Sequence, residues 1–355
     1  MPSPYDALLF VSFGGPEAPD EVMPFLENVV EGRNVPRERL EEVAEHYHEH
    51  DGRSPINDQN RALIGALRAE LDGSDANLPV YFGNRNWDPF LADALREADA
   101  NGHRRLLAFV TSAYSSYSGC RQYREDMARA VEDAGVDVEI DKIRVFFNHP
   151  GFVDAQADRV RDAIDTLPDD VRADARMVFV THSIPLRMAR HSDSAMQHYE
   201  SSRLVAEAVE GHAGWHGGWD LVYCSRSGPP RVPWLEPDVG EHLAALHEDG
   251  TRGVVVVPIG LITDHMEVSH DLDVEAREVA DDVGLAMTRA GTVGTHPTFV
   301  TAIRELVEER HADAPRRACG TLPPWHDACP VDCCASPGQE LAPTVASAPP
   351  PRRPV

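Results

Sequence analysis

Three groups of side chains in this chain have the types and spacings that chemistry needs. The first is a histidine and a carboxylate. His182 closes the apolar run Val178-Phe179-Val180-Thr181 just before Ser183-Ile184-Pro185, and Glu267 follows Val254-Val255-Val256-Val257-Pro258 by way of Asp264-His265-Met266. Both runs read as strands of a parallel sheet, buried on both faces. Open α/β sheets place ligands beyond the carboxyl ends of their strands. An imidazole facing a carboxylate there can remove protons or hold a divalent metal.

The second group is an acidic stripe. Glu267, Asp271 and Glu275 follow one another at four-residue steps. In an α-helix such residues stay near one face and drift by roughly 40° per step, and a π-type bulge would align them better. Acids at this spacing are ordinarily a solvated helix face. Here the stripe starts where a buried strand ends, and carboxylate oxygens in series suit the passage of a hard, hydrated divalent cation.

The third group is thiols. Of the six cysteines, Cys120 and Cys224 stand alone, while Cys319, Cys329, Cys333 and Cys334 crowd the C-terminal part. Adjacent cysteines make a strained disulfide with one another. Cys-x-x-x-Cys-Cys points instead to zinc or an iron–sulfur cluster, and a [2Fe–2S] cluster needs a fourth thiolate from Cys319 or from the body of the chain.

Other motifs are weaker. Ser12-Phe13-Gly14-Gly15-Pro16 allows close backbone approach at a strand end but is neither a Walker loop nor a complete dinucleotide fingerprint. Phe13 reads as core or pocket wall. Hydroxyls cluster in Tyr114-Ser115-Ser116-Tyr117-Ser118-Gly119 and in Ser225-Arg226-Ser227, and Arg231 and Trp234 would suit a flat anionic ligand or simple packing. His46, His48 and His50 read as a solvated helix end.

Alternating patterns must position these groups. Strands are expected at residues 7–13, 80–84, 105–111, 138–143, 177–181, 221–225, 253–258 and 285–289. Helices are expected at 36–48, 60–71, 90–100, 120–134, 152–167, 200–211, 239–248, 268–283 and 297–310. Such alternation predicts parallel sheets wrapped by helices. Roughly equal numbers of strands flank Asn148-His149-Pro150-Gly151, giving α/β units over 1–148 and 149–312. A Cys-rich extension over 313–338 and a proline-rich disordered tail over 339–355 follow.

Composition narrows the partners. With 355 residues, 42% hydrophobic, the chain can bury substantial cores, and its formal net charge of −26 argues against nucleic acid or an anionic membrane surface. Apolar runs fall short of a membrane span, and no basic stretch precedes an apolar one at the start. A soluble, cytoplasmic protein is expected. Lys142 is the only lysine, as in strongly Arg-biased, GC-rich coding.

Taken together, these segments resemble the ferrochelatases over nearly the whole chain. The resemblance is carried by Ser12-Phe13-Gly14-Gly15-Pro16, Gly52-Arg53-Ser54-Pro55-Ile56, Tyr81-Phe82-Gly83-Asn84-Arg85-Asn86, Thr181-His182-Ser183-Ile184-Pro185, Ser225-Arg226-Ser227-Gly228-Pro229-Pro230, Pro233-Trp234-Leu235 and the stretch from Pro258 to Glu267. It implies two Rossmann-like lobes, each a parallel sheet flanked by helices, with porphyrin held between them. His182 and Glu267 match the catalytic, metal-facing pair, and Asp271 and Glu275 match an acidic path on a π-helix. Phe13, Ser54 and Tyr123 match porphyrin-contact positions, with Arg53 and Arg121 as nearby cations for propionates. Cys120, Cys329, Cys333 and Cys334 match the ligands of a [2Fe–2S] cluster, leaving Cys319 spare. Some coproporphyrin-type members carry tyrosine at the Phe13 position as an axial ligand, and phenylalanine cannot ligate.

The details resemble the actinobacterial branch. That implies insertion of Fe²⁺ into coproporphyrin III by a monomer, with transient handover of product to a coprohaem decarboxylase and no integral membrane association. A protoporphyrin IX ferrochelatase, a cobalt-type chelatase and a porphyrin or metal carrier are the rival readings.

Overall fold

A computed structural model of the chain describes residues 4–228, 231–266 and 268–348. Two parallel sheets organise it. β1 (Ala7–Ser12), β2 (Val80–Asn84), β3 (Arg105–Val110) and β4 (Glu139–Lys142) form one sheet in the order β2-β1-β3-β4. β5 (Arg176–His182), β6 (Trp219–Cys224), β7 (Gly253–Val257) and β8 (Ala286–Arg289) form the other in the order β6-β5-β7-β8. Each strand falls within two residues of its expected limits. β1 and β7 are buried along their whole length, which is why their sequences show no polar alternation.

The helices cover both faces of each sheet, as crossovers between parallel strands require. In the second sheet the side chains of β5 and β7 alternate. Met177, Phe179, Val255 and Val257 pack with Val160, Ile164, Val205 and Val209. Val178, Val180, Val254 and Val256 pack with Leu243, Leu272, Ala276 and Ala280. In the first sheet Leu9, Val11, Leu106 and Ala108 meet Leu95 and Ala98 of helix Leu91–Ala100 and Met127 and Ala130 of helix Gln122–Ala134. Each fully buried Val or Leu contributes about 1.5–3 kcal/mol.

The chain forms two compact units. One contains the residues up to Val145, Ile303–Arg316 and everything from Trp325 onward; the other contains Phe146–Ala302 and Arg317–Pro324. The expected Cys-rich extension is therefore divided. Residues 317–324 join the second unit because the Asn148 carbonyl accepts from the Cys319 amide at 2.9 Å, and Glu200 accepts from the Thr321 amide at 2.9 Å.

The disordered tail expected from residue 339 needs correcting as far as 348. Two buried arginines hold the C-terminal segment. Arg121 donates to the carbonyls of Val331, Cys333 and Ala342. Arg124 donates to the Val345 carbonyl and to the hydroxyls of Thr344 and Ser347. The proline-rich composition hid this, because the anchors lie more than two hundred residues away in sequence. Residues 349–355 lie outside the described residues.

Candidate functional site

His182 is the last residue of β5, level with Cys224 of β6. Its Nδ1 lies 2.5 Å from the Ser183 carbonyl. A carbonyl only accepts, so Nδ1 carries the proton and the lone pair of the neutral ring sits on Nε2. The loop beyond is fixed. Ser183 Oγ donates to the Leu235 carbonyl at 2.8 Å, and the Ser183 amide donates to the Cys224 carbonyl at 2.8 Å. Thr181, one residue before His182, shares a hydrogen bond of 3.0 Å with Nε2 of His198. The Nδ1 of His198 is 2.8 Å from the Ser194 carbonyl, and burial pulls the pKa of this ring down to about 4. His198 is thus a neutral prop under the strand end. Gly260 crosses directly over Thr181, where a Cβ would come within 2.3 Å of the hydroxyl, so only glycine fits.

Asp271 and Glu275 of the acidic stripe lie on a π-helix, Val268–Glu275, continued by helix Ala276–Val283. Asp271 is half-buried, and its carboxylate accepts from Ser225 Oγ. Ser225 holds a left-handed backbone, φ 58°, just past the end of β6. Glu275 is exposed, with an oxygen 3.6 Å from Nε2 of buried His270. Glu267, and Pro229 and Pro230 of the second hydroxyl loop, lie outside the described residues.

In the first unit Phe13 follows β1 and is 36% exposed, large for an aromatic ring. Ser54 and Tyr123 are buried. The backbone at Gly15 passes so close to Ser54 that a Cβ there would fall 2.7 Å from the Ser54 Cβ. Arg85 lies over the Tyr123 ring at 4.4 Å from its centroid and 5.7 Å from that of Phe13, while its Nε donates to Asp126 at 2.5 Å. Burial raises the Tyr123 hydroxyl pKa against the pull of Arg85. The two arginines expected to serve propionates are otherwise engaged. Arg121 is buried against Glu125 and tail carbonyls, and Arg53 pairs with Asp58.

The thiols gather in the same unit. Cys120 sits on a second π-helix, Tyr117–Arg121, and Cys329 pairs through its backbone with the strand-like segment at Ser347. Cys120 shares a hydrogen bond with Cys329, Cys329 with Cys333 and Cys333 with Cys334, the last pair 3.7 Å apart. The Cys120 thiol is pushed well up by that bond and by burial. For Cys333 the hydrogen bond with Cys329 lowers the pKa, but that with Cys334 and burial outweigh it and carry the thiol to about 12. His326 adds Nε2 at 3.9 Å from Cys333 Sγ, and the ligand atoms of His326, Cys329 and Cys333 lie within 4.8 Å of one another. Cys319 stands apart in the second unit, donating to the Asn148 carbonyl at 3.3 Å.

A family profile described as ferrochelatase matches residues 5–311. The chain belongs to the ferrochelatase family. Among its relatives, a coproporphyrin III ferrochelatase of Streptomyces griseus is 50% identical over 94% of each chain. One of Frankia alni is 54% identical over 94% of this chain and 87% of its own. The solved structure of SirB from Bacillus subtilis with Fe3+, at 13% identity, covers 86% of this chain and 96% of its own with a TM-score of 0.53, a likeness of fold alone. Among the described residues of this family member, no helix is long and apolar enough to cross a membrane.

Sequence reasoning missed four residues. Arg85 stands inside a quoted segment, but only the fold puts it over two aromatic rings. His198 gave no signal, and Ser225 was legible only as a loop hydroxyl, since their partners Thr181 and Asp271 are distant in sequence. His326 did give one: it precedes Cys329 by three residues, a common metal-ligand spacing.

Proposed function

We propose that the protein inserts Fe²⁺ into coproporphyrin III to give iron coproporphyrin III for haem synthesis. The observation that carries this reading is near-full-length identity of about half to relatives named coproporphyrin III ferrochelatase. Insertion removes two pyrrole protons and needs the macrocycle bent so that its nitrogen lone pairs meet the metal, a distortion supplied by binding energy. His182 takes the protons or ligates the entering ion through Nε2, since Nδ1 is held by the Ser183 carbonyl. Glu267 balances the charge beside it. Asp271, oriented by Ser225, and the exposed Glu275 carry hydrated iron inward or protons outward. Phe13 presents an aromatic wall, Ser54 and Tyr123 shape the pocket behind it, and Arg85 is the cation nearest both rings for a propionate.

The same reading gives Cys120, Cys329, Cys333 and Cys334 a [2Fe–2S] cluster. Its support is the donor set: four thiols in series, all in one unit, beside a buried Arg124 whose Nη1 has no hydrogen-bond partner. When bound, the cluster supplies iron–thiolate bonds that tie the Cys120 turn to the C-terminal segment. The enzyme works in the cytoplasm as a monomer and passes its product to a decarboxylase, as the family resemblance implies.

Specificity constants for coproporphyrin III and protoporphyrin IX with Fe²⁺ test the substrate. A clear preference for protoporphyrin IX would overturn it, and turnover with Co²⁺ but not Fe²⁺ would overturn iron as the metal. For the cluster, anaerobically purified protein should contain iron and acid-labile sulfide. Serine at any of the four positions should remove both, and Cys319→Ser or Cys224→Ser should not. Zinc without sulfide would refute it.

A further inference from the structure

Two positive charges are buried next to the thiol nest, and no carboxylate among the described residues pairs with either. One is Lys142, the chain's only lysine, at the end of β4 and 3% exposed. Its ammonium donates to the Ile143 carbonyl at 2.7 Å. The other is Arg124, fully buried one helical turn beyond Cys120. Its Nε and Nη2 hold residues 344–347, the segment paired with Cys329, while Nη1 is left without a partner. Arg121 differs, because Glu125 neutralises it at 2.7 Å.

A buried cation without a counter-ion is strongly unfavourable, so such groups are normally paired. The charges of Lys142 and Arg124 both reach the sulfurs of Cys120 and Cys329. Protonated thiols are neutral and leave these cations uncompensated. Four thiolates on a [2Fe–2S] core carry the missing negative charge.

We propose that Lys142 and Arg124 are the counter-charges of the cluster held by Cys120, Cys329, Cys333 and Cys334, and that they set its reduction potential. The inference rests on the cluster reading above. Reduction converts one ferric iron to ferrous and adds one negative charge to the cluster. Buried cations alongside therefore favour the reduced form, and charge and hydrogen bonding around the sulfurs are the protein's means of tuning such centres.

The test is a redox titration of the anaerobically purified, cluster-bearing full chain, with the electron supplied by an electrode through mediators. Lys142→Met should retain iron and sulfide but reduce at a more negative potential. At the wild-type midpoint its reduced-to-oxidised ratio should fall about tenfold, equivalent to about 59 mV for a one-electron couple. Lys142→Arg should restore the wild-type value. Thr344→Ala, which loosens the tail without changing charge, should leave it unmoved. If Lys142→Met does not fold, the uncharged Lys142→Gln takes its place. A cluster-bearing neutral variant with the wild-type potential overturns the inference while leaving the cluster intact. Wild-type protein lacking acid-labile sulfide overturns the cluster reading and this inference with it.

Discussion

The two units carry different side chains on one scaffold. Their strand orders, β2-β1-β3-β4 and β6-β5-β7-β8, place β1 and β5 equivalently, and likewise β3 and β7. β1 ends in Ser12 followed by Phe13 and two glycines, whereas β5 ends in His182. After β3 and after β7 the chain enters a π-helix that continues as an α-helix. In the first unit that π-helix carries Cys120; in the second it carries Asp271 and Glu275. Soft thiolates retain iron, while hard carboxylates exchange hydrated cations. On the proposed reading one π-helix keeps a metal and the other passes one along, and the difference lies in a few side chains rather than in topology.

The largest effect should separate the strand ends. His182→Ala should lower iron insertion by about 10²–10⁴-fold, the usual value of a positioned acid–base group. Ser12→Ala at the equivalent end of β1 should cost far less. Porphyrin binding and circular dichroism should show both variants folded. Near-wild-type turnover by the His182 variant would leave the two ends chemically equivalent.

The ion pairs of the two units should differ next. Arg144 and Glu309 of the first unit are 0% and 3% exposed and joined by bonds of 2.8 and 2.9 Å. Glu309→Ala should destabilise the chain by about 3–5 kcal/mol in denaturant unfolding, because it strands a buried guanidinium. Arg176–Asp220 of the second unit, at 2.6 Å, is partly exposed. Asp220→Asn should cost about 1 kcal/mol or less. Equal losses would show that burial does not govern these pairs.

His198 makes the second unit's stability depend on pH. Burial holds its folded pKa at about 4 against an ordinary value of 6.5. Between those values the unfolded chain binds the extra proton. Stability is therefore full above 6.5 and lost as pH falls toward 4, by up to about 3 kcal/mol. Urea unfolding at the two ends of the window, for wild type and His198→Gln, measures this, and the variant should show a flatter profile.

The smallest effects distinguish the acids of the second π-helix. Asp271→Asn should raise the Fe²⁺ concentration needed for half-maximal rate severalfold, and Glu275→Gln less, because Asp271 is half-buried and oriented while Glu275 is exposed. Unchanged iron dependence in both would make the stripe an ordinary solvated face.

The sequence foretold all eight strands because burial on both faces writes itself as continuous apolar runs. Helix Val22–Val29 escaped notice: it is short and carries Pro24 in its first turn, which reads as a break in sequence. Its Phe25 proves to be a centre of ring packing, touching Phe13, Tyr47 and Trp87. The placement of His182 at a strand end and the gathering of Cys329 and Cys333 were legible because chemistry restricts residue type and spacing. The contacts of Arg85 with two rings and of Ser225 with Asp271 were not, because contacts across distant segments leave no local pattern. The tail misled for the opposite reason: its composition is that of a disordered segment, but the arginines that hold it belong to another helix.

The thiol nest has a consequence for how the molecule comes into being. A ribosome releases Cys120 early, then the whole of Phe146–Ala302, and only afterwards Cys329, Cys333 and Cys334. At about 5–20 residues per second the wait between Cys120 and Cys329 lasts on the order of ten to forty seconds. Throughout it, Lys142 and Arg124 lack the C-terminal sulfurs near which they end, and the first unit is unfinished. On the cluster reading, the first unit is thus the last to be completed, because its thiol set closes only once Cys329, Cys333 and Cys334 have been made.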